Sequence, residues 1–203
     1  KGVARINSDG TLDETFGLGD GPDFSVHAVV IQRDGRVIIA GDFKNYDGVA
    51  CEGVVRLNPD GSIDKSFNSA LGFDDSVRCI ALQEDGRIVI GGFFSHVGNA
   101  ARGRIARLNP DGSLDADFAI GAGADGSIYS MAIQSDGKIL VGGSFSHFNG
   151  LSRNGLVRLT ESGGIDPTVN FGAGANGSVL DIEIRPNFKV LIAGGFTIFN
   201  GEN

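Results

Sequence analysis

Oxygen-bearing residues recur through this sequence at a constant spacing of 51 residues. One set of equivalent positions, 51 residues apart, holds Asp23, Asp74, Asp125 and Asn176. The positions two residues later hold Ser25, Ser76, Ser127 and Ser178. Carboxylates, amides and hydroxyls are the hard donors that Ca²⁺ prefers, so a ring of these residues could bind a cation or contact a ligand. The alternative is structural, because Asx and serine side chains also hydrogen-bond to the backbone of tight loops.

The remaining residue types offer little chemistry. His96 and His147 also lie 51 residues apart, but Asn45 and Ile198 complete that set and His27 lies elsewhere. We therefore predict no metal site at the histidines, although imidazole is a common zinc ligand. No known motif links a nucleophile, a base and an orienting group, and no glycine-rich phosphate loop leads into a helix. We expect no enzymatic activity and, the Ca²⁺ alternative apart, no cofactor.

A second set of charged residues predicts one structural ion pair per repeat. The arginines are Arg5, Arg56, Arg107 and Arg158, and the aspartates eight residues later are Asp13, Asp64, Asp115 and Asp166. The planar guanidinium suits two parallel hydrogen bonds to a carboxylate. We predict that each arginine pairs with a carboxylate of its own or the next unit, most simply with the aspartate eight residues later.

These pairs begin and end a nine-residue motif, R-[IL]-N-x-D-G-[ST]-[IL]-D. It occurs at residues 5–13, 56–64 and 107–115, and a degraded copy occupies residues 158–166. No insertion or deletion separates the four copies. Self-similarity at a fixed period of tens of residues is typical of propellers, solenoids and arrays, and it outweighs local propensity as an indicator of fold.

One repeat contains the signals of four short strands. From Val77 an apolar run predicts an innermost strand, Asp85-Gly86 predicts a two-residue hairpin turn, and a second apolar run follows. After a loop of about ten residues the motif of residues 107–115 contributes the third strand, a second Asp-Gly turn and the fourth strand. A four-stranded antiparallel meander repeated radially is the blade of a β-propeller.

Gly92 and its equivalents, Gly41, Gly143 and Gly194, lie near the end of the second strand. Glycine weakens an isolated strand, so its recurrence predicts the close approach of a neighbouring blade.

The positions of the repeats predict how the ring closes. Three blades are continuous, at residues 26–67, 77–118 and 128–169, and residues 179–203 plus 1–16 supply the inner and outer strands of a composite fourth blade. We predict a single propeller domain over residues 1–203, because the composite blade leaves no open edge strand. A piece of a longer array and an eight-bladed ring made by two chains are the alternatives.

The motif R-[IL]-N-x-D-G-[ST]-[IL]-D-x-x-F, followed by Q-x-D-G-[KR]-[IV]-x-[IV]-[GA]-G-x-F, resembles the bacterial delta-60 repeat family over the whole chain. The resemblance implies a β-propeller from exported or surface-associated bacterial proteins, often large, with no established catalytic activity. It therefore implies an extracellular or cell-surface location. The fourth repeat departs from the pattern at Thr160, Ser162 and Asn187-Phe188, where looser turns are expected.

Composition restricts the partners. The chain has 17 basic and 25 acidic residues, a formal charge of −8 and no cluster of basic residues, which argues against nucleic acid and anionic membranes. No apolar run approaches the roughly 18 residues of a membrane span. Cys51 and Cys79 occupy non-equivalent positions, so we expect unpaired thiols.

We expect a non-catalytic binding or scaffold module whose protein or glycan ligand contacts the end that carries the varied loops, because loops on a rigid scaffold tolerate change. A structural spacer in a large adhesin or appendage is one alternative. A glycan-active enzyme with its site over the central channel is another.

Overall fold

The computed structural model describes residues 2–17, 19–187 and 189–202. Within these ranges the chain is all-β. Its strands are β1 (Val26–Ile31), β2 (Val37–Gly41), β3 (Asn45–Tyr46), β4 (Val49–Ala50), β5 (Val54–Leu57), β6 (Val77–Leu82), β7 (Ile88–Gly92), β8 (His96–Val97), β9 (Ala100–Ala101), β10 (Ile105–Leu108), β11 (Ile128–Ile133), β12 (Ile139–Gly143), β13 (His147–Phe148), β14 (Leu151–Ser152), β15 (Leu156–Leu159), β16 (Val179–Ile184) and β17 (Val190–Gly194). No helix in the described ranges is long and apolar enough to cross a membrane.

Three blades follow the predicted meander. Their antiparallel sheets have the orders β1-β2-β5, β6-β7-β10 and β11-β12-β15. The predicted fourth strand is reduced to a single bridge in each blade, for example Leu57 with Ile63. The loop predicted between the second and third strands forms a small hairpin of its own, such as β3 with β4. We call the end of the molecule where the first strand of each blade begins the loop face, and the end with the Asp-Gly turns the hairpin face.

The Asp-Gly turns differ from the two-residue turns that were predicted. Gln32 N–H donates to Arg36 O at 2.8 Å, and Gly35 N–H donates to Gln32 O at 3.0 Å. Gly35 has φ +82°. The connection is therefore a three-residue loop in which glycine adopts the left-handed conformation after a turn, an arrangement that also requires positive φ. For the degenerate fourth turn, the predicted loosening at Asn187-Phe188 involves Phe188, which lies outside the described residues.

The core lies between successive blades. One cluster joins Ile38 and Ala40 of the first blade to Ile80, Ile90 and Phe94 of the second. All five residues of β2, β7 and β12 are buried, because the middle strand of each blade is covered on both faces. The two cysteines are free and buried, and burial raises the pKa of each thiol to about 12.

The composite fourth blade is not formed in the described residues, so the prediction of a closed four-bladed ring is not confirmed. β16 and β17 form a two-stranded sheet, and the hairpin of residues 2–17 packs on the first blade instead. Arg5 Nη1 donates to Pro59 O at 2.6 Å and Gly17 N–H to Asp60 O at 2.8 Å. These contacts repeat at the other junctions, as in Arg56 Nη1 to Pro110 O. With the fourth blade open, the described units form an arc.

Candidate functional site

The repeated arginines fasten each unit to the next. In all four units the Nε atom of the arginine lies 2.8 Å from Oδ2 of the aspartate eight residues later. The prediction of two parallel hydrogen bonds to the carboxylate differs from the structure, because the Nη1 atom bonds elsewhere. In the first three units Nη1 donates to a backbone carbonyl of the following unit, Pro59 O, Pro110 O or Glu161 O. The guanidinium also stacks on a phenylalanine, such as Phe118 at 4.6 Å from Arg107 Cζ. The guanidinium group of these three arginines thus bonds to two units, so only its Nε atom bonds to the carboxylate.

Hydrogen bonds from the residue two positions later, together with the arginine, lower the pKa of all four aspartates. Burial alone raises the pKa of Asp115, but the Asp117 N–H and the Arg107 guanidinium outweigh it. For Asp166, hydrogen bonds from the Thr168 N–H and hydroxyl lower the pKa to about 2. A carboxylate with a depressed folded-state pKa stabilises the fold above its unfolded pKa, near 3.9, and loses that contribution as the pH falls through the folded pKa.

We therefore expect the free energy of unfolding to change little between pH 5 and 7 from these groups and to fall steeply between about pH 4 and pH 2. Urea denaturation followed by circular dichroism across this range measures it. An unfolding free energy that stays level down to pH 2 would contradict the assignment.

The Asx residues predicted as a ligand ring each bind a loop of their own blade. The Oδ1 atom of Asp74 accepts the N–H groups of Ser95 and His96 at 2.7 and 2.9 Å. The same two bonds recur at Asp23, Asp125 and Asn176. In the described ranges no three His, Cys, Asp or Glu residues approach as a metal-binding group. Each Asx side chain thus orders the loop after the second strand of its own blade, and a ligand or cation at this set stays a prediction.

The serines of the same set act mainly through their carbonyl oxygens. The carbonyls of Ser25, Ser76, Ser127 and Ser178 each accept the N–H of the residue that follows the second strand of their blade. The two histidines lie beside the Asx residues: Nδ1 of His96 is 3.2 Å from Asp74 Oδ2, and Nδ1 of His147 is 3.0 Å from Asp125 Oδ2. The two imidazoles thus occupy separate blades, each with its own aspartate.

A cluster that sequence reasoning missed lies between the first two blades at the loop face. His27 Nε2 is 2.7 Å from Asp42 Oδ2 and 2.9 Å from Arg78 Nη1. The Ser76 hydroxyl donates to the other oxygen of Asp42. The Arg78 guanidinium in turn lies over the ring of Phe93 at 5.1 Å. We call His27, Asp42, Ser76 and Arg78 the polar cluster.

The polar cluster breaks the repeat pattern. The position of His27 and Arg78 holds Tyr129 and Leu180 in the other units, and the position of Asp42 holds Phe93, Ser144 and Gly195. The sequence does indicate the cluster, because these equivalent positions hold a different residue in each repeat. Recurrence does not reveal such residues, because a recurring residue is explained by the blade itself.

Comparison with known proteins assigns the repeat. Residues 1–16, 32–67, 83–118 and 134–168 match the family described as domain of unknown function (DUF5122) beta-propeller. The chain belongs to this family. No curated protein matches the sequence.

Among solved structures, the DUF5122 chain is similar to the extracellular domain of the putative one component system BT4673 from B. thetaiotaomicron, with 15% identity and a TM-score of 0.54 over 92% of this chain and 22% of that one. A protein of unknown function from Bacteroides caccae gives 18% identity, a TM-score of 0.54 and coverage of 93% and 62%. The gluconolactonase XC5397 from Xanthomonas campestris gives 17% identity and a TM-score of 0.54 over 95% of this chain and 62% of that one. The chain spans less than two thirds of each protein, and at these identities the likeness shows the propeller fold alone.

Two hollows adjoin the inner strands of the DUF5122 repeats. The larger, about 840 Å³, opens at the hairpin face and is lined by equivalent residues of successive units, such as Gln83 and Gln134. These glutamines accept hydrogen bonds from Arg107 and Arg158, so they are explained by the framework. The smaller, about 430 Å³, lies at the loop face between the first two blades and includes Asp42 and Ser76 of the polar cluster. We call it the loop-face groove and favour it as the candidate site because its lining differs from unit to unit.

The loop-face groove is acidic. It is lined by four carboxylates, Asp42, Glu52, Asp74 and Asp75, and by a single ammonium, Lys44. Burial raises the pKa of Asp42, but the Ser76 hydroxyl, His27 and Arg78 outweigh it and lower the pKa, so Asp42 is ionised at neutral pH. The groove thus presents hydrogen-bond acceptors and negative charge beside the aromatic ring of Phe73.

Proposed function

We propose that this chain is a non-catalytic binding module of an extracellular or cell-surface protein, with its protein or glycan ligand bound in the loop-face groove. The observation that carries the proposal is the polar cluster, where the repeat pattern is broken at positions that the framework does not require. Carboxylates next to an aromatic ring suit hydroxyl-rich glycans and basic peptide segments, and they disfavour anionic ligands. The extracellular location is supported by the similarity to the extracellular domain of BT4673. We also propose that the repeat is the delta-60 repeat, on the motifs quoted above.

The test is a glycan and peptide array probed with the purified chain, followed by titration calorimetry on any ligand found. The double variant Asp75→Asn/Glu52→Gln removes two charges from the groove and leaves the polar cluster intact. We expect it to weaken binding at least tenfold, because hydrogen bonds to charged groups contribute about 1.5–3 kcal/mol. The matched control is Asp34→Asn/Glu84→Gln on the hairpin face, which should leave the affinity unchanged.

Absence of any ligand on both arrays would favour the spacer alternative and contradict the proposal. Equal affinities of the groove variant and the unaltered chain would contradict the location. Measurement of reducing ends after incubation with a bound glycan tests the non-catalytic part, because cleavage by a purified chain would place it among glycan-active enzymes.

A further inference from the structure

Arg104 adopts a backbone conformation for which the equivalent positions of other repeats use glycine. Its φ is +68°, whereas Gly53 and Gly155 have φ +94° and +70°. A non-glycine residue in this left-handed region is strained, and such residues are concentrated at functional sites. The other non-glycine residues with positive φ in the described ranges are three Asp or Asn residues, which tolerate the conformation, and Glu52 of the loop-face groove. The blade does not require an arginine at this position, so the side chain needs a different explanation.

The Arg104 side chain is held in place by its own blade. Its Nη1 atom donates to the carbonyl of Phe93, the residue that follows β7, and its N–H donates to Phe94 O at 3.2 Å. The preceding Gly103 O accepts the Ala124 N–H at 2.9 Å, which ties this loop to the next unit. A group that is already fixed loses little conformational entropy when it binds a ligand. The guanidinium of Arg104 is therefore preorganised at the loop face, between the second and third blades.

Phe93 belongs to a row of side chains that crosses this junction. The Arg78 guanidinium lies over the Phe93 ring, with Cζ 5.1 Å from the centroid. The Tyr129 ring meets the Phe93 ring edge-on, with the two centroids 5.7 Å apart. Arg78, Phe93, Arg104 and Tyr129 are all partly exposed. We call these four residues the arginine–aromatic site.

The arginine–aromatic site occupies the same place in its junction as the loop-face groove does in the preceding junction, but its charge is opposite. Three of the four carboxylate positions of the groove hold uncharged residues here, namely Phe93, Gly103 and Gly126. The fourth is Asp125, whose carboxylate accepts the N–H groups of Ser146 and His147 in its own blade. In the part of the chain that the structure describes, no carboxylate oxygen lies within 4.0 Å of a guanidinium nitrogen of Arg78 or Arg104. The site thus presents two guanidinium groups without direct ion-pair partners.

We propose that the arginine–aromatic site binds a uronic acid residue of an acidic saccharide. A guanidinium matches a planar carboxylate and can hold it by two hydrogen bonds. The rings of Phe93 and Tyr129 provide apolar surface for the C–H face of a pyranose. An acidic peptide supplies carboxylates on flexible side chains and no ring face, so the two aromatic rings favour the saccharide. This site is separate from the loop-face groove, whose carboxylates disfavour anionic ligands.

Titration calorimetry of the chain with three probes tests the proposal. The probes are trigalacturonate, trimannuronate and a hyaluronan tetrasaccharide. We expect at least one of them to bind with a Kd below about 1 mM at low ionic strength, and the Kd to rise as salt screens the exposed guanidinium groups. The methyl ester of the bound saccharide keeps the ring but lacks the charge, so it should bind at least about tenfold more weakly. Hexaglutamate is the probe for an acidic peptide.

Arg104→Gly is the most informative variant, because it copies the residue of two other repeats. We expect at least about a tenfold loss of affinity for the acidic saccharide, since the fork is lost. The midpoint of urea unfolding should stay unchanged or rise, because the strain at φ +68° is removed. An arginine with a purely structural role would give a lower midpoint.

Two further variants complete the test. Tyr129→Leu copies Leu180, the equivalent residue of the last unit, and should weaken binding at least about threefold through loss of the ring. Arg33→Gln removes one positive charge from the hairpin face and is the matched control. It should leave the Kd for the saccharide unchanged.

Failure of all three saccharides to bind at about 1 mM would overturn the proposal, as would equal affinities for the acid and its methyl ester. Tighter binding of hexaglutamate than of any saccharide would assign the site to an acidic peptide instead. An Arg104→Gly chain that binds as tightly as the unaltered chain would remove the ligand from this site. The groove variant Asp75→Asn/Glu52→Gln should bind the acidic saccharide at least as tightly as the unaltered chain, so this proposal and the proposed function fail separately.

Discussion

Replacement of Arg107 with alanine is expected to lower the free energy of unfolding by about 3 kcal/mol. The side chains of Arg107 and Asp115 are each only 6% exposed, and Nε lies 2.8 Å from Oδ2. Removal of the guanidinium leaves the buried Asp115 carboxylate without its closest cation, and the half-exposed Arg87, whose Nε lies 3.4 Å from Oδ2, compensates for it only in part. The removal also leaves Glu161 O, in the next unit, without the Nη1 donor at 2.7 Å. The loss combines a poorly compensated buried charge with a broken contact between units.

The repeat provides a matched comparison for this prediction. Arg5 makes the two equivalent contacts, with Asp13 and Pro59 O, and contacts Thr15 where Arg107 contacts Gln83, but the Arg5 side chain is 39% exposed. Water can solvate the carboxylate left by Arg5→Ala, so we expect a much smaller loss than for Arg107→Ala. Urea denaturation of both variants measures the difference in the free energy of unfolding. Equal losses would show that burial does not control the strength of the pair.

The fold was predictable because the repeats carry redundant information. Four copies at a spacing of 51 residues gave the strand order of each blade, and the Arg107–Asp115 pair could be predicted from two recurring charges of opposite sign. Each blade is specified locally, by residues that are neighbours in sequence or in the adjacent unit. Such contacts are the ones that a periodic pattern expresses directly.

The shape of the whole arc was not predictable in the same way. Closure depends on the angle between successive blades, and that angle is set by how side chains such as Ile38 and Ile80 pack and by the anchoring of Arg5 on Pro59. A small change of angle per unit decides between a ring and an arc. A repeat period measures the length of a unit and carries no information about its rotation.

The polar cluster could be predicted only in part. Three of its members, His27, Asp42 and Arg78, are visible in sequence as departures from the repeat. The contacts of the cluster nevertheless join positions 15, 34 and 51 residues apart. Only the blade geometry brings Asp42, Ser76 and His27 together at one junction. The Asx residues are the opposite case, since their recurrence was visible in the sequence but the loop that each side chain binds was not.

Gly92 shows how a recurring glycine was assigned to the wrong neighbour. The close approach predicted at this position was to another blade, but a Cβ on Gly92 would overlap the Ser76 carbonyl of its own blade. The preceding Gly91 is the one that meets the next blade, where a Cβ would lie 2.7 Å from Ile128 Cγ2. The sequence signal identified a crowded position, and the β-bulge between Val77 and Cys79 determines what crowds it.

Replacement of Gly92 with alanine is therefore expected to lower the free energy of unfolding by about 3 kcal/mol, the upper part of the range for overpacking. The methyl group would displace the Ser76 carbonyl, which accepts the Phe93 N–H at 2.9 Å, and so would disturb the entry to the inner strand. Gly195→Ala is the control, since a Cβ there meets nothing within 4 Å. It should change the free energy of unfolding by less than about 0.5 kcal/mol. Urea denaturation of the two variants gives both values. A Gly92→Ala chain as stable as the Gly195→Ala chain would contradict the prediction, because it would mean that the Ser76 carbonyl moves without loss of stability. The carbonyl is a fixed backbone atom held by its own hydrogen bond, which is why we expect it to resist where a flexible side chain would move aside.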